Sequence, residues 1–154
     1  MLWEKGNIKT NFFNFEIPTK EKFNSWKKEF LKLPNVDNYV VWVCGGFNET
    51  WTTHDIDIIL TGEPNYKELR SILRKGIEIG IKYKTKIDIS WWDTEPKFNT
   101  NIKKVMYGET IKLNNRIIRK YNNEVYKDLF LVESYYPTEK QKKRNYKHKP
   151  IRLN

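Results

Sequence analysis

The chain has little of several residue types that mark particular classes of protein. Among its 154 residues it has one cysteine, two histidines and no alanine. A single cysteine excludes an intrachain disulfide, so the fold cannot depend on a framework of disulfide bonds. Cys44 itself lies inside the apolar run YVVWVC, which favours a small buried side chain over a reactive thiol.

Long apolar runs are also missing. No stretch approaches the roughly 18 residues that a membrane span requires. The first residues, MLWEKGNIKT, carry a charge pair where a secretory signal would need an uninterrupted apolar segment. We therefore expect a soluble, cytoplasmic protein that has no membrane partner.

The composition is nevertheless that of a folded protein. Hydrophobic residues make up 38% and aromatic residues 15%, which is enough for a core although 31% of the residues are charged. The length suits one domain, and neither an internal repeat nor a long linker divides it. We predict a single domain over residues 1–138, followed by a tail.

That tail, residues 139–154, carries much of the positive charge. It has seven Lys or Arg residues against one Glu, whereas the whole chain has a formal net charge of +10. Clustered cations bind the phosphates of nucleic acids. The chain is also rich in Lys, Asn and Ile, a usage typical of AT-rich coding, so its total charge alone is weak evidence. The predicted nucleic-acid contacts are Lys140, Lys142, Lys143, Arg144 and Lys147.

Two helices are predicted from apolar residues at helical spacing. In PTKEKFNSWKKEFLKLPN, Thr19 is the expected cap and Pro34 the expected end. In NYKELRSILRKGIEIGIKY, Asn65 is the expected cap and Gly80 the expected end.

Three strands are predicted from β-branched and alternating runs: YVVWVC, DIDIILTG and KTKIDISWWD. The region from Lys97 to Tyr136 is less decisive. In it, ETIKLNNRIIRKY resembles a hairpin around Asn114 and Asn115, and EVYKDLFLVESYYP is predicted as a short helix.

Three aspartates are the candidate site. Side chains alternate along a strand, so Asp55 and Asp57 project from one face, and Asp88 can join them from a neighbouring strand. Carboxylates in a partly buried strand need compensation, and a divalent cation with oxygen ligands, such as Mg²⁺ or Mn²⁺, provides it. Three acids also suit a two-metal site for phosphoryl or nucleotidyl transfer.

Gly45 and Gly46 end the first of these strands. A Gly-Gly turn lets backbone N–H groups approach a phosphate closely, particularly if GFNETW begins a helix. Phosphates on one side and metal ions on the other describe a site for a nucleoside triphosphate.

The order of these motifs resembles the DNA polymerase beta-like nucleotidyltransferase superfamily, in particular its minimal domains. The pattern is GG, eight residues, DID and a later IDI, within residues 39–92. The resemblance implies an α/β (α+β) fold, a mixed β-sheet with helices packed against it and here a small C-terminal extension. It also implies that Gly45 and Gly46 hold the triphosphate and that Asp55 and Asp57 bind both metal ions. Asp88 would bind the catalytic metal and help to deprotonate the acceptor.

The implied activity is transfer of a nucleoside monophosphate from a nucleoside triphosphate to a hydroxyl, with release of pyrophosphate. The acceptor is RNA or DNA if the basic tail binds it, and a small molecule or protein otherwise. A partner subunit or a second copy of the chain would then complete the acceptor site. A non-catalytic binding module is the third alternative, because Glu49 stands where many members have an arginine.

Overall fold

In the part of the chain that the structure describes, the fold combines one large mixed β-sheet with three α-helices. The computed structural model describes residues 4–5, 8–9, 15–45, 54–97, 99–108, 118–120 and 128–154. The helices are α1 (Lys20–Phe30), α2 (Tyr66–Lys82) and α3 (Glu139–Lys147), with a 3₁₀ turn at Val36–Asn38. The strands are β1 (Glu4–Lys5), β2 (Ile8–Lys9), β3 (Val40–Cys44), β4 (Ile56–Thr61), β5 (Ile87–Trp92), β6 (Ile102–Tyr107), β7 (Ile118–Lys120), β8 (Leu129–Tyr135) and β9 (Ile151–Arg152). The expected mixture of helices and strands is confirmed.

Seven of the described strands form the large sheet, in the order β7-β8-β6-β5-β4-β3-β9, while β1 and β2 pair separately. Strands β4 and β5 are parallel, and α2 makes the crossover between them. The other neighbours in the large sheet are antiparallel. A parallel pair needs such a crossover because its strands must run in the same direction.

Helix α1 begins where the sequence predicts. The side-chain oxygen of Thr19 accepts a hydrogen bond from the backbone N–H of Lys22, at 3.2 Å. Trp26 is fully buried, and its Nε1 donates to the carbonyl of Gly76 in α2, at 2.9 Å. The helix ends at Phe30, a turn before Pro34. The two helices are therefore joined by a buried aromatic contact as well as a hydrogen bond.

Helix α2 is capped by Asn65, which accepts from Glu68 N at 3.1 Å, and it continues to Lys82. The predicted end at Gly80 is wrong. A Cβ atom at Gly80 would lie 2.6 Å from Cγ1 of Ile87, so the glycine lets the helix approach β5 closely. Packing, and not helix termination, explains this glycine.

The two faces of the sheet differ. The side chains of Ile56 and Ile58 on β4, and of Ile87 and Ile89 on β5, belong to the fully buried core that includes residues of α1 and α2. The intervening residues face the other way, and on this second face lies a smaller apolar cluster. Its buried members are Cys44, Ile59, Trp92, Ile102, Met106, Val132 and Tyr135. By the same alternation, Asp57 and Asp88 belong to the second face.

The predicted helix in EVYKDLFLVESYYP is wrong. Residues Leu129–Tyr135 form β8, which pairs with β6 on one side and β7 on the other. Two neighbouring strands form hydrogen bonds with its backbone, and this pairing outweighs the local preference for a helix. The hairpin predicted around Asn114 and Asn115 lies outside the described residues.

The boundary predicted after residue 138 does not separate a tail from the domain. Residues 139–147 form α3, and β9 pairs with β3 through Trp42 with Arg152 and Val43 with Ile151. The Asn154 side chain accepts from Val41 N at 2.9 Å and donates to the Tyr39 carbonyl at 2.8 Å. The last residues therefore complete one edge of the sheet. Of the helices in the described ranges, none has the length and apolar character needed to cross a bilayer.

Candidate metal centre

Asp55, Asp57 and Asp88 lie together on the second face of the sheet. One carboxylate oxygen from each lies within 4.8 Å of the other two, and all three residues are half-buried. The parallel register places Asp57 directly beside Asp88, and Asp55 immediately precedes β4. The alternation of side chains and the pairing of these two strands therefore bring the three acids together.

The donor set suits a hard divalent cation. Carboxylate oxygens are the ligands that Mg²⁺ and Mn²⁺ prefer, whereas softer metals favour sulfur or imidazole. Three carboxylates at this spacing also repel one another, and a cation held between them removes that repulsion. The residues present thus fit the expected ion in both their chemistry and their charge.

Gly45 contacts this cluster. Its φ angle is +82°, in the left-handed region that favours glycine. A Cβ atom at this position would lie 2.0 Å from Oδ2 of Asp57. The absence of a side chain thus makes room for a carboxylate, a role that differs from the predicted contact with a triphosphate. Gly46 and Glu49 lie outside the described residues, so the phosphate-binding turn stays a prediction.

A cavity of about 110 Å³ opens beside the acids. It is smaller than the roughly 300–1,000 Å³ of pockets that enclose a drug-sized ligand. A cavity of this size suits a hydrated ion or the reacting end of a substrate. Its polar lining includes Asp57, Asp88, Ser90, Lys104, Tyr135 and Gln141, and Trp92 forms part of its apolar lining.

The Cys44 thiol lies within the negative electrostatic potential of the site. Burial, and then the negative charges of Asp57 and Asp88, raise the pKa of its thiol well above the ordinary value, while Lys104 acts in the opposite direction. Its Sγ lies 3.9 Å from the backbone oxygen of Asp57. The thiol is therefore buried and protonated near neutral pH, in agreement with the interpretation that the sequence favoured.

Sequence reasoning missed four polar residues of this cavity: Ser90, Lys104, Tyr135 and Gln141. Lys104 Nζ lies 4.3 Å from the centroid of the Tyr135 ring, a cation–π distance. The Tyr135 hydroxyl and the Gln141 amide exchange hydrogen bonds, the shorter of them 2.7 Å long. No sequence motif marks Lys104, because its position depends on the pairing of β6 with β5.

Gln141 did carry a signal. Thr138 and Gln141 have the spacing of a capping box, and they form one: Thr138 N donates to Gln141 Oε1 at 2.8 Å, and Gln141 N donates to Thr138 Oγ1 at 3.2 Å. This motif begins α3 immediately beside the cavity.

The predicted nucleic-acid contacts are not equivalent. Lys140, Lys143 and Lys147 are exposed on α3. Lys142 instead donates to the Tyr136 hydroxyl at 3.0 Å and to Glu139 at 3.1 Å, and these hydrogen bonds raise its pKa. The side chain of Arg144 lies outside the described part of the chain.

Comparisons of the chain with protein-family models, with curated proteins and with solved structures each find no match. The functional argument therefore depends on the residues of the site.

Proposed function

We propose that this protein is a metal-dependent nucleotidyltransferase, which transfers a nucleoside monophosphate from a nucleoside triphosphate to a hydroxyl and releases pyrophosphate. One observation carries the proposal: Asp55, Asp57 and Asp88, on or immediately before two adjacent parallel strands, bring carboxylate oxygens within 4.8 Å of one another. The resemblance of GG, DID and IDI to that superfamily assigns the same three residues to its metal site.

The three acids have distinct roles in this reaction. Asp55 and Asp57 would hold both ions, and Asp88 would hold the catalytic ion with them. Gly45 leaves the space that the Asp57 carboxylate occupies. When bound, Mg²⁺ or Mn²⁺ supplies positive charge to the attacking and leaving oxygens. The acceptor oxygen forms a bond to the α-phosphorus while the bond to pyrophosphate breaks. Asp88, on the neighbouring strand, is the residue that we expect to orient the acceptor hydroxyl and receive its proton.

The test is transfer of label from each α-labelled nucleoside triphosphate with Mg²⁺ or Mn²⁺, using RNA, single-stranded DNA, protein and small hydroxyl compounds as acceptors. The variants are Asp57→Asn and Asp88→Asn, and the matched control is Asp37→Asn, which removes an exposed acid of the 3₁₀ turn. Loss of groups that only orient metal ligands already costs about 10- to 100-fold, so loss of a ligand should cost more than about a hundredfold.

Binding of Mn²⁺, measured by electron paramagnetic resonance, provides a second readout that does not depend on turnover. Both site variants should weaken it, whereas Asp37→Asn should not. Metal-dependent nucleotide binding without transfer to any acceptor would favour the non-catalytic binding module. Transfer that survives Asp57→Asn and Asp88→Asn unchanged would contradict the proposed site.

A further inference from the structure

Helix α3 begins at the wall of the cavity. Gln141, in its first turn, lines the same cavity as Asp57 and Asp88. Its amide is held by Tyr135 on β8 and by the capping box with Thr138, so the start of the helix is fixed relative to the sheet. The remaining residues of α3 follow directly on Gln141. Any long substrate that enters the cavity over Gln141 therefore meets this helix.

The exposed surface of α3 is basic. Lys140, Lys143 and Lys147 follow the i, i+3, i+7 spacing that places residues along one side of a helix, and all three are exposed. Within the described part of the chain, no carboxylate forms an ion pair with any of them, in contrast to Lys142. Their charges are thus directed to solvent.

The spacing of this basic stripe matches a nucleic-acid strand. Lys140 and Lys147 are seven residues apart, or about 10 Å along a helix. A stacked strand carries a phosphate about every 3.4 Å, so roughly three phosphates fit that length. A helix that binds a membrane surface needs a broad apolar face, but EKQKKRNYK offers a single aromatic residue and no aliphatic one. The charge and composition therefore favour a nucleic acid over a lipid surface.

We propose that α3 and the cavity form one acceptor-binding surface for a single strand of nucleic acid. The phosphates of the strand lie along Lys140, Lys143 and Lys147, and its terminal hydroxyl reaches Asp88 past Gln141. Gln141 and Asp88 line the same cavity, so a strand end that enters beside Gln141 meets Asp88. This inference rests on the proposed nucleotidyl transfer for the role of the hydroxyl, but the binding surface can be tested without that reaction.

Removing the C-terminal residues cannot test this surface, because β9 and Asn154 belong to the sheet and their loss would disturb the fold. The variant is instead K140Q/K143Q/K147Q, and Gln has nearly the helix propensity of Lys. The matched control is K28Q/K67Q/K75Q, which removes three exposed lysines of α1 and α2. Both triple variants lower the formal net charge by the same amount, and thermal unfolding establishes that both are folded.

The first measurement is fluorescence anisotropy of a short labelled single-stranded RNA, single-stranded DNA or duplex, without metal ion or nucleotide, at several salt concentrations. Loss of three phosphate contacts should make log K against log salt less steep by about 2, since each contact contributes about 0.7 for a single strand. Affinity at moderate salt should fall at least tenfold in the α3 variant and little in the control. The single strand with the higher affinity identifies RNA or DNA.

Equal losses in both triple variants would overturn the proposal, and so would equal or tighter binding of polyglutamate or of phosphatidylserine vesicles. In the transfer assay, the α3 variant should raise KM for the nucleic acid while kcat at saturation stays near that of the wild type. Strand binding by α3 without any transfer would reject the proposed reaction but keep the surface. Transfer to a small hydroxyl compound without strand binding would reject the surface but keep the reaction.

Discussion

Oδ2 of Asp57 occupies the space beside Gly45, only 2.0 Å from the point where a side chain at that glycine would begin. Gly45 directly follows β3, which pairs with the strand that carries Asp57 and places Cys44 opposite Asp57. The shape of the backbone turn and the position of a metal ligand are thus set together.

Gly45→Ala should weaken the metal site more than it weakens the fold. The new methyl group would force the Asp57 carboxylate out of the cluster, and the φ of +82° adds roughly 1–2 kcal/mol of strain. The control is Gly62→Ala, where φ is +134° and the nearest atom is a backbone oxygen at 3.3 Å. Urea denaturation should show a loss in both variants, whereas Mn²⁺ binding should be lost in Gly45→Ala alone. Unchanged Mn²⁺ affinity in Gly45→Ala would contradict this coupling.

Lys104→Met should tighten metal binding. Lys104 shares the cavity with Asp57 and Asp88, so its positive charge opposes a divalent cation there. Removing this positive charge from the cavity should raise Mn²⁺ affinity about threefold to tenfold, with the larger effect at low salt. Lys103→Met is the control, since Lys103 is exposed and does not line the cavity. Equal affinities in the two variants would show that Lys104 does not act on the site electrostatically.

Asn154→Ala should destabilise the edge of the sheet. Its side chain satisfies the N–H of Val41 and the carbonyl of Tyr39, and hydrogen bonds of this kind contribute about 0.5–1.5 kcal/mol each. We therefore expect a loss of about 1–3 kcal/mol in the free energy of unfolding. Asn101→Ala, at an exposed position before β6, should change it by less than about 0.5 kcal/mol. Similar losses in both variants would mean that the C-terminal residues do not stabilise β3.

Stability should fall in alkaline solution, partly through Tyr39. Burial raises the pKa of its hydroxyl, and the neighbouring Glu68 carboxylate raises it further. The folded state therefore keeps a proton that the unfolded chain releases above pH of about 10. The contribution of Tyr39 to the free energy of unfolding is complete below that pH. It is lost as pH rises towards the folded-state pKa, at up to about 1.4 kcal/mol per pH unit.

Urea titrations at a series of alkaline pH values check this. Tyr39→Phe should lower stability at all pH values, because the Asn65 N–H loses its acceptor, but it should make the alkaline slope shallower. Glu68→Gln removes only one of the causes and should change the slope less. A slope that is the same in all three proteins would exclude Tyr39 as a contributor.

The local patterns predicted the elements that carry the acids. Alternation around Asp55 and Asp57 indicated a strand with both carboxylates on one face, and a further strand after the Asn-capped helix allowed Asp88 to join them. The structure confirms that the three aspartates lie together. These features depend on the alternation of residues along a strand and on one helix between two strands, and both patterns are visible in a single sequence.

The parts that were wrong depend on distant partners. Residues 129–135 include residues that favour a helix and residues that favour a strand. Pairing with β6 and β7 stabilises the strand. The C-terminal residues have the composition of a solvated tail, but a two-residue strand needs only a free edge, which β3 offers. Lys104 reaches the cavity through sheet pairing alone. Contacts of this kind join segments that are distant in the sequence, so no local pattern of residues predicts them.

The three aspartates also have a thermodynamic consequence. Asp55 and Asp57 are neighbours in any conformation, but Asp88 joins them only when α2 has completed the crossover and β5 has paired with β4. A divalent cation that needs all three therefore binds the native state in preference to the unfolded chain. By mass action such an ion stabilises the fold by about 2.7 kcal/mol at a hundred times its Kd. The strand pairing that assembles the site thus becomes harder to undo whenever the ion is abundant.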